Sequence, residues 1–173
     1  MNTAFTWQGR HDGDGEEHLR IHQIINRSAT ADYSLIGFSS DEGVKRNKGR
    51  VGAAEAPNAI RSQLANLPVH QPLTLQDLGN VICQQDQLEQ AQAELANQVQ
   101  YSLEKGIQPI VLGGGHEVAF GSFSGLFQYV QQHQAQQPGD QQPGEQQRDL
   151  GLIDGARVVN GDRHQRQRRH DAG

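Results

Sequence analysis

The sequence predicts an α/β domain built on a parallel sheet. Three observations carry that expectation: apolar runs of strand length near residues 33–38, 73–78 and 107–112, helical periodicities between them, and three consecutive glycines directly after the third run. Strands that alternate with helices favour a parallel sheet with helices on its faces.

The first run, Tyr33-Ser34-Leu35-Ile36-Gly37-Phe38, is short and apolar, as a buried strand should be. Asp41–Gly49 is polar, charged and glycine-bearing, so a loop is expected there. Pro57 suits the first turn of a helix, and Ala56, Ile60, Leu64 and Leu67 follow at helical spacing until Pro68 stops it. Leu73–Leu78 alternates like a strand and should end at Gly79-Asn80. Leu88, Ala91, Leu95, Val99 and Leu103 form the stripe of an amphipathic helix that should end at Gly106. Ile107–Leu112 is the third strand, and Glu117–Val130 should form another helix. Three strands make a short sheet, so this reads as the beginning of an α/β domain.

Composition divides the chain at about residue 130. The first 130 residues hold all of the net charge of −5. In residues 131–147, nine of seventeen residues are Gln, and Gln-Pro-Gly occurs twice. The chain then closes on Arg163-His164-Gln165-Arg166-Gln167-Arg168-Arg169-His170. Such a segment buries too little apolar surface to offset its ordering entropy, so we expect residues 131–173 to be disordered or out of frame. The Gln codons CAG and CAA read as Leu codons on the opposite strand, so a frameshift, rearrangement or erroneous gene boundary after about Phe127 would yield such a tail. The basic closing run lacks interleaved aromatics, and the chain's pI is about 5.9, which argues against nucleic acid. No apolar run reaches the roughly 18 residues of a membrane span, and Met1–Glu17 has no secretory signal pattern. With a single cysteine, Cys83, there is no disulfide framework. A soluble cytoplasmic protein is the expectation.

The chemistry concentrates in Val111-Leu112-Gly113-Gly114-Gly115-His116-Glu117. In open α/β sheets ligands bind beyond the carboxyl ends of the strands, which is where His116 falls. A neutral imidazole ligates Mn, Zn or Fe, and Glu117 would orient it or support it from behind. The competing reading is a glycine turn followed by a surface histidine. Asp41–Gly52 lies on the same side, either as a substrate-contacting loop, with Asp41, Asn47 and Arg50 as candidates, or as a solvated one. His18 and His22 are four apart and could share a helix face, but lack a third ligand. Cys83 reads as a small structural residue.

Leu112-Gly113-Gly114-Gly115-His116-Glu117-Val118-Ala119-Phe120-Gly121, with Gly125 four further on, resembles the first signature of the arginase/ureohydrolase family. Trp7-Gln8-Gly9-Arg10-His11-Asp12, Ser40-Asp41-Glu42-Gly43-Val44 and Asn47-Lys48-Gly49-Arg50-Val51-Gly52-Ala53 are similar to its formimidoylglutamase branch, so the resemblance spans nearly all of residues 5–130. It implies a three-layer α/β fold around a parallel sheet and a binuclear manganese centre, with His116 as one metal ligand. The implied reaction hydrolyses N-formimidoyl-L-glutamate to L-glutamate and formamide, using a metal-bridging water of lowered pKa.

The chain also departs from the family pattern. The Asp-Ala-His-x-Asp and Asp-x-Asp elements that supply the other ligands are absent, and Asp154 after Leu150–Ile153 cannot replace them. One histidine cannot hold two manganese ions. The expectation is therefore a fold incomplete towards its C-terminus and a hydrolase of linear amidines that is inactive by itself. The alternatives are a truncated binding module, an inactive remnant, or part of another ureohydrolase such as agmatinase. An oligomer is possible for the intact family.

Overall fold

The computed structural model describes residues 5–13, 15–28 and 30–135. In chain order its elements are α1 (Ile21–Ile24), β1 (Tyr33–Ser39), α2 (Glu42–Arg46), α3 (Ala56–Leu64), β2 (Leu75–Ile82), α4 (Leu88–Glu104), β3 (Gln108–Leu112) and α5 (Val118–Ala135), with 3-10 turns at Glu16–His18 and Ala53–Glu55. The strands pair in the order β2-β1-β3, all parallel, with Tyr33 opposite both Leu75 and Gln108. The α/β class and parallel sheet expected from the sequence are what the chain forms.

β1 is buried from Ser34 to Phe38 because it is the central strand and both its faces are covered. Ile36 and Phe38 point to one face, where they pack with Val81 of β2 and with Leu88, Ala91, Leu95 and Val99 of α4. The α4 stripe read from the sequence is thus its core face. α5 lies on α4 through two glycines. A Cβ on Gly121 would come within 3.0 Å of the Gln92 carbonyl oxygen, and one on Gly125 within 2.4 Å of that of Ala96. Glycine costs about 1 kcal/mol in a helix interior, and here it permits backbone contact between two helices.

On the opposite face Gly37 leaves space that Arg61 of α3 and Asn80 of β2 fill: its absent Cβ would fall 2.8 Å from an Arg61 guanidinium nitrogen. Helices therefore cover both faces, giving three layers. β3 is an edge strand, in which Ile110 is exposed, as are Phe120, Phe123, Leu126, Phe127 and Val130 on α5.

Several expectations are corrected. Asp41–Gly49 is not all loop, because Glu42, Lys45 and Arg46 sit at i, i+3 and i, i+4 spacing and pair along the short helix α2. The second strand does not end at Gly79-Asn80. Leu35 pairs with Asp77 and Gly37 with Asn80, so two residues of β2 oppose Ile36 alone. Gly79, at φ 78°, accommodates that bulge, and the strand continues to Ile82. α3 ends at Leu64, short of Pro68; its buried positions are Pro57 and Arg61, while Ile60 is exposed, as is Leu67 beyond its end. The buried Arg61 side chain reaches Asp77, Asn80 and the Gly79 carbonyl of β2. α5 runs past the composition break to Ala135, and the remaining tail, with Asp154, His164 and His170, lies outside the described residues. His18 and His22 do not share a helix, because Leu19 between them is extended.

Candidate functional site

The carboxyl ends of the strands form a rim built from the β1–α2 connection and the β3–α5 turn. The Gly115 N–H donates to the Ser40 carbonyl at 2.8 Å, which joins the two. Gly114 and Gly115 are required by close approach, not by unusual dihedral angles. A Cβ on Gly114 would lie 2.4 Å from the Ser40 oxygen and 2.5 Å from that of Phe38, and one on Gly115 would lie 2.0 Å from Glu117 Oε2. The glycines thus let the backbone approach the end of β1, and this contact delivers His116, exposed, to the rim.

Glu117 is turned away from the role of orienting His116. Its Oε1 accepts from Ser40 Oγ at 3.0 Å and from the Gly43 N–H at 3.1 Å. Its backbone oxygen accepts from Gln92 Nε2 of α4 at 3.0 Å.

Asp41 reaches the same rim, where its Oδ2 accepts from the Gly52 N–H at 2.7 Å and closes the 41–52 loop on itself. Asn47 and Arg50 lie further along that loop, exposed. Glu42 is buried and pairs with Lys45 and Arg46, each at 3.2 Å. Arg46 continues to Glu89 and to the Asp86 carbonyl, tethering α2 to the start of α4. The Glu89 carboxylate holds the Arg46 guanidinium above its ordinary range, and Arg46 holds Glu89 below its own. Cys83, at the end of β2, has its thiol pushed up chiefly by burial. The charge spacing from Glu42 to Arg46 is the signal that would have revealed this helix.

The Trp7–Asp12 motif has a structural assignment. Trp7 Nε1 donates to Asp77 Oδ2 at 2.8 Å, the Arg10 N–H donates to Asn66 Oδ1 at 2.8 Å, and Asp12 pairs with Arg10 and Arg20. His22 Nδ1 lies within hydrogen-bond distance of the Ala65 oxygen, at 2.9 Å.

The model of the arginase family matches residues 31–138, which include both the rim and the sheet. The chain belongs to the arginase family. This arginase-family chain is 46% identical over 140 residues to a formimidoylglutamase of Vibrio parahaemolyticus, covering 76% of the chain and 41% of that protein. It is 49% identical over 130 residues to one of Aeromonas salmonicida, covering 72% and 41%. Among solved structures it is similar to Trypanosoma cruzi formiminoglutamase with manganese, at 32% identity and TM-score 0.54, covering 60% of this chain and 37% of that one. The chain spans about two fifths of the length of the curated relatives it matches.

Manganese suits the family, but the donors here do not fit a two-ion centre. Among the described residues, no three His, Cys, Asp or Glu side chains come together to hold a metal. His116 offers one imidazole, whereas each hard divalent ion needs several ligands, mostly oxygens. Of the carboxylates nearest the rim, those of Asp41, Glu42 and Glu117 are already engaged within the protein. Nor is any helix among the described residues long and apolar enough to cross a membrane.

Proposed function

We propose that this chain is the N-terminal part of a formimidoylglutamase, and that it contributes His116 to a manganese site whose other ligands lie outside its sequence. The reaction assigned is hydrolysis of N-formimidoyl-L-glutamate to L-glutamate and formamide. Identity to formimidoylglutamases supports the reaction. The rim supports the assignment of His116, because the Gly113–Gly115 turn presents its imidazole exposed beyond the end of β3. Asp41 serves as the latch of the 41–52 loop, and Asn47 and Arg50 are the loop's candidates for substrate contact. The partner is a small molecule in the cytoplasm, with no nucleic acid or membrane involved. Alone, the 173 residues bind no manganese pair and do not turn over.

A chimera tests the reading. Residues 1–127 are joined to the remaining part of the Vibrio parahaemolyticus relative, loaded with manganese and assayed for formamide. Turnover of N-formimidoyl-L-glutamate, and its loss with manganese in the His116→Ala chimera, are the expected results. Preference for agmatine would overturn the substrate assignment, and full manganese occupancy in the variant would overturn the ligand. Two tightly held manganese ions on the unfused chain would overturn the claim of inactivity.

A further inference from the structure

Glu117 sits where three parts of the rim meet. Its carboxylate takes the Ser40 hydroxyl at the end of β1 and the Gly43 N–H in the first turn of α2, while its backbone oxygen takes Gln92 from α4. Ser40 is itself buried, and its Oγ also accepts from the Glu42 N–H at 3.3 Å, so the carboxylate acts on α2 through two routes. Two glycines make room for it: a Cβ would lie 2.8 Å from Oε2 at Gly43 and 2.0 Å from the same atom at Gly115. A carboxylate that accepts a backbone N–H and a hydroxyl makes charge-assisted bonds, stronger than neutral ones.

We infer that Glu117 is a positioning residue, which clamps the start of the 41–52 loop against the turn that carries His116. Its carboxylate holds the β1–α2 connection and the β3–α5 turn at one separation, so that the latch Asp41 and the imidazole of His116 keep a constant relation across the rim. The catalytic meaning of this clamp rests on His116 being a metal ligand, but the clamp itself does not.

Residue-resolved amide exchange on the full 173-residue chain tests it without metal or substrate, so its failure and that of the hydrolase reading are separate outcomes. In Glu117→Ala the Gly43 and Gly115 amides should exchange roughly tenfold faster, the scale of one lost hydrogen bond, while Leu95 and Val99 of α4 stay as protected as before. Glu117→Gln keeps an acceptor for Ser40 and Gly43, and should restore exchange to within about threefold of the parent. The inference is overturned if Gly43 and Gly115 stay protected in Glu117→Ala. It is equally overturned if exchange rises as much in α4 as at the rim, or if Gln fails to restore protection. Should Glu117→Ala not fold, Ser40→Ala removes the hydroxyl that donates to Glu117 and accepts from the Glu42 N–H. Faster exchange at Gly43 then supports the clamp, and unchanged exchange overturns it.

Discussion

Arg61 Nη2 and Asp77 Oδ1 meet at 2.7 Å, with side chains only 0% and 6% exposed. The guanidinium also donates to Asp77 Oδ2 at 3.0 Å, to Asn80 Oδ1 at 2.6 Å and to the Gly79 carbonyl at 2.9 Å, while Trp7 donates to Asp77. One ion pair thus ties α3, the β2 bulge and the Trp7 segment together. Breaking a buried pair strands the surviving charge. Arg61→Ala and Asp77→Ala should each lower stability by about 3–5 kcal/mol in urea unfolding. Arg61→Lys should fall near the same range, because an ammonium cannot reproduce the forked contacts. A loss below about 1 kcal/mol in either alanine variant would show that the pair does not anchor the fold.

The glycines before His116 are not equivalent. A Cβ at Gly114 meets two backbone oxygens that cannot move aside, whereas one at Gly113 meets only Val118 Cγ1 at 3.7 Å. Gly114→Ala should cost about 1–3 kcal/mol or more, and Gly113→Ala about 0.5 kcal/mol or less. Equal losses in thermal unfolding would refute this account of the turn.

Acid should weaken the link between β1 and β2 near their start. Hydrogen bonds from the Thr74 hydroxyl and N–H hold the Asp32 carboxyl below its usual 3.8. A carboxyl depressed in the folded state contributes stability above its unfolded pKa and loses it as pH falls through the lower folded value. Thr74→Val should therefore destabilise the protein at pH 6, with the difference shrinking as pH drops below about 4. A difference that persists unchanged to pH 2 would rule out this linkage.

The α5 stripe should be dispensable for stability. Phe120 and Phe123 are 65% and 64% exposed, and Phe123 stacks on Phe127 at 5.9 Å. Phe120→Ser with Phe123→Ser should shift stability by no more than about 0.5 kcal/mol per site and reduce binding of an apolar fluorescent dye. A large loss of stability would mean that this stripe is packed in solution.

Most of the strand and helix pattern was legible from the residues. Leu88 to Val99 sits on the core side of α4 as its spacing implied, and Tyr33–Phe38 is the central strand. The misses on β2 and α3 share one cause. Gly79-Asn80 reads as a turn because a bulge uses the same residue chemistry, and only pairing with β1 distinguishes the two. Ile60 and Leu67 fall at helical spacing yet are exposed, because apolar spacing says nothing about a buried arginine. The position of His116 just after β3 was legible from its glycines, but the direction of Glu117 was not. Ser40 and Gly43, its partners, are 77 and 74 positions away.

By itself the sequence determined the alternation of strands and helices, the family and the placing of His116 after β3. Periodicity, glycine turns and a contiguous motif are local properties, written in neighbouring residues. Only the tertiary structure decided that Arg61 is buried, that β2 bulges at Gly79 and that Glu117 faces Ser40 and Gly43. Each depends on groups brought together across the sheet, where an unpaired charge or an extra Cβ would be too costly to keep.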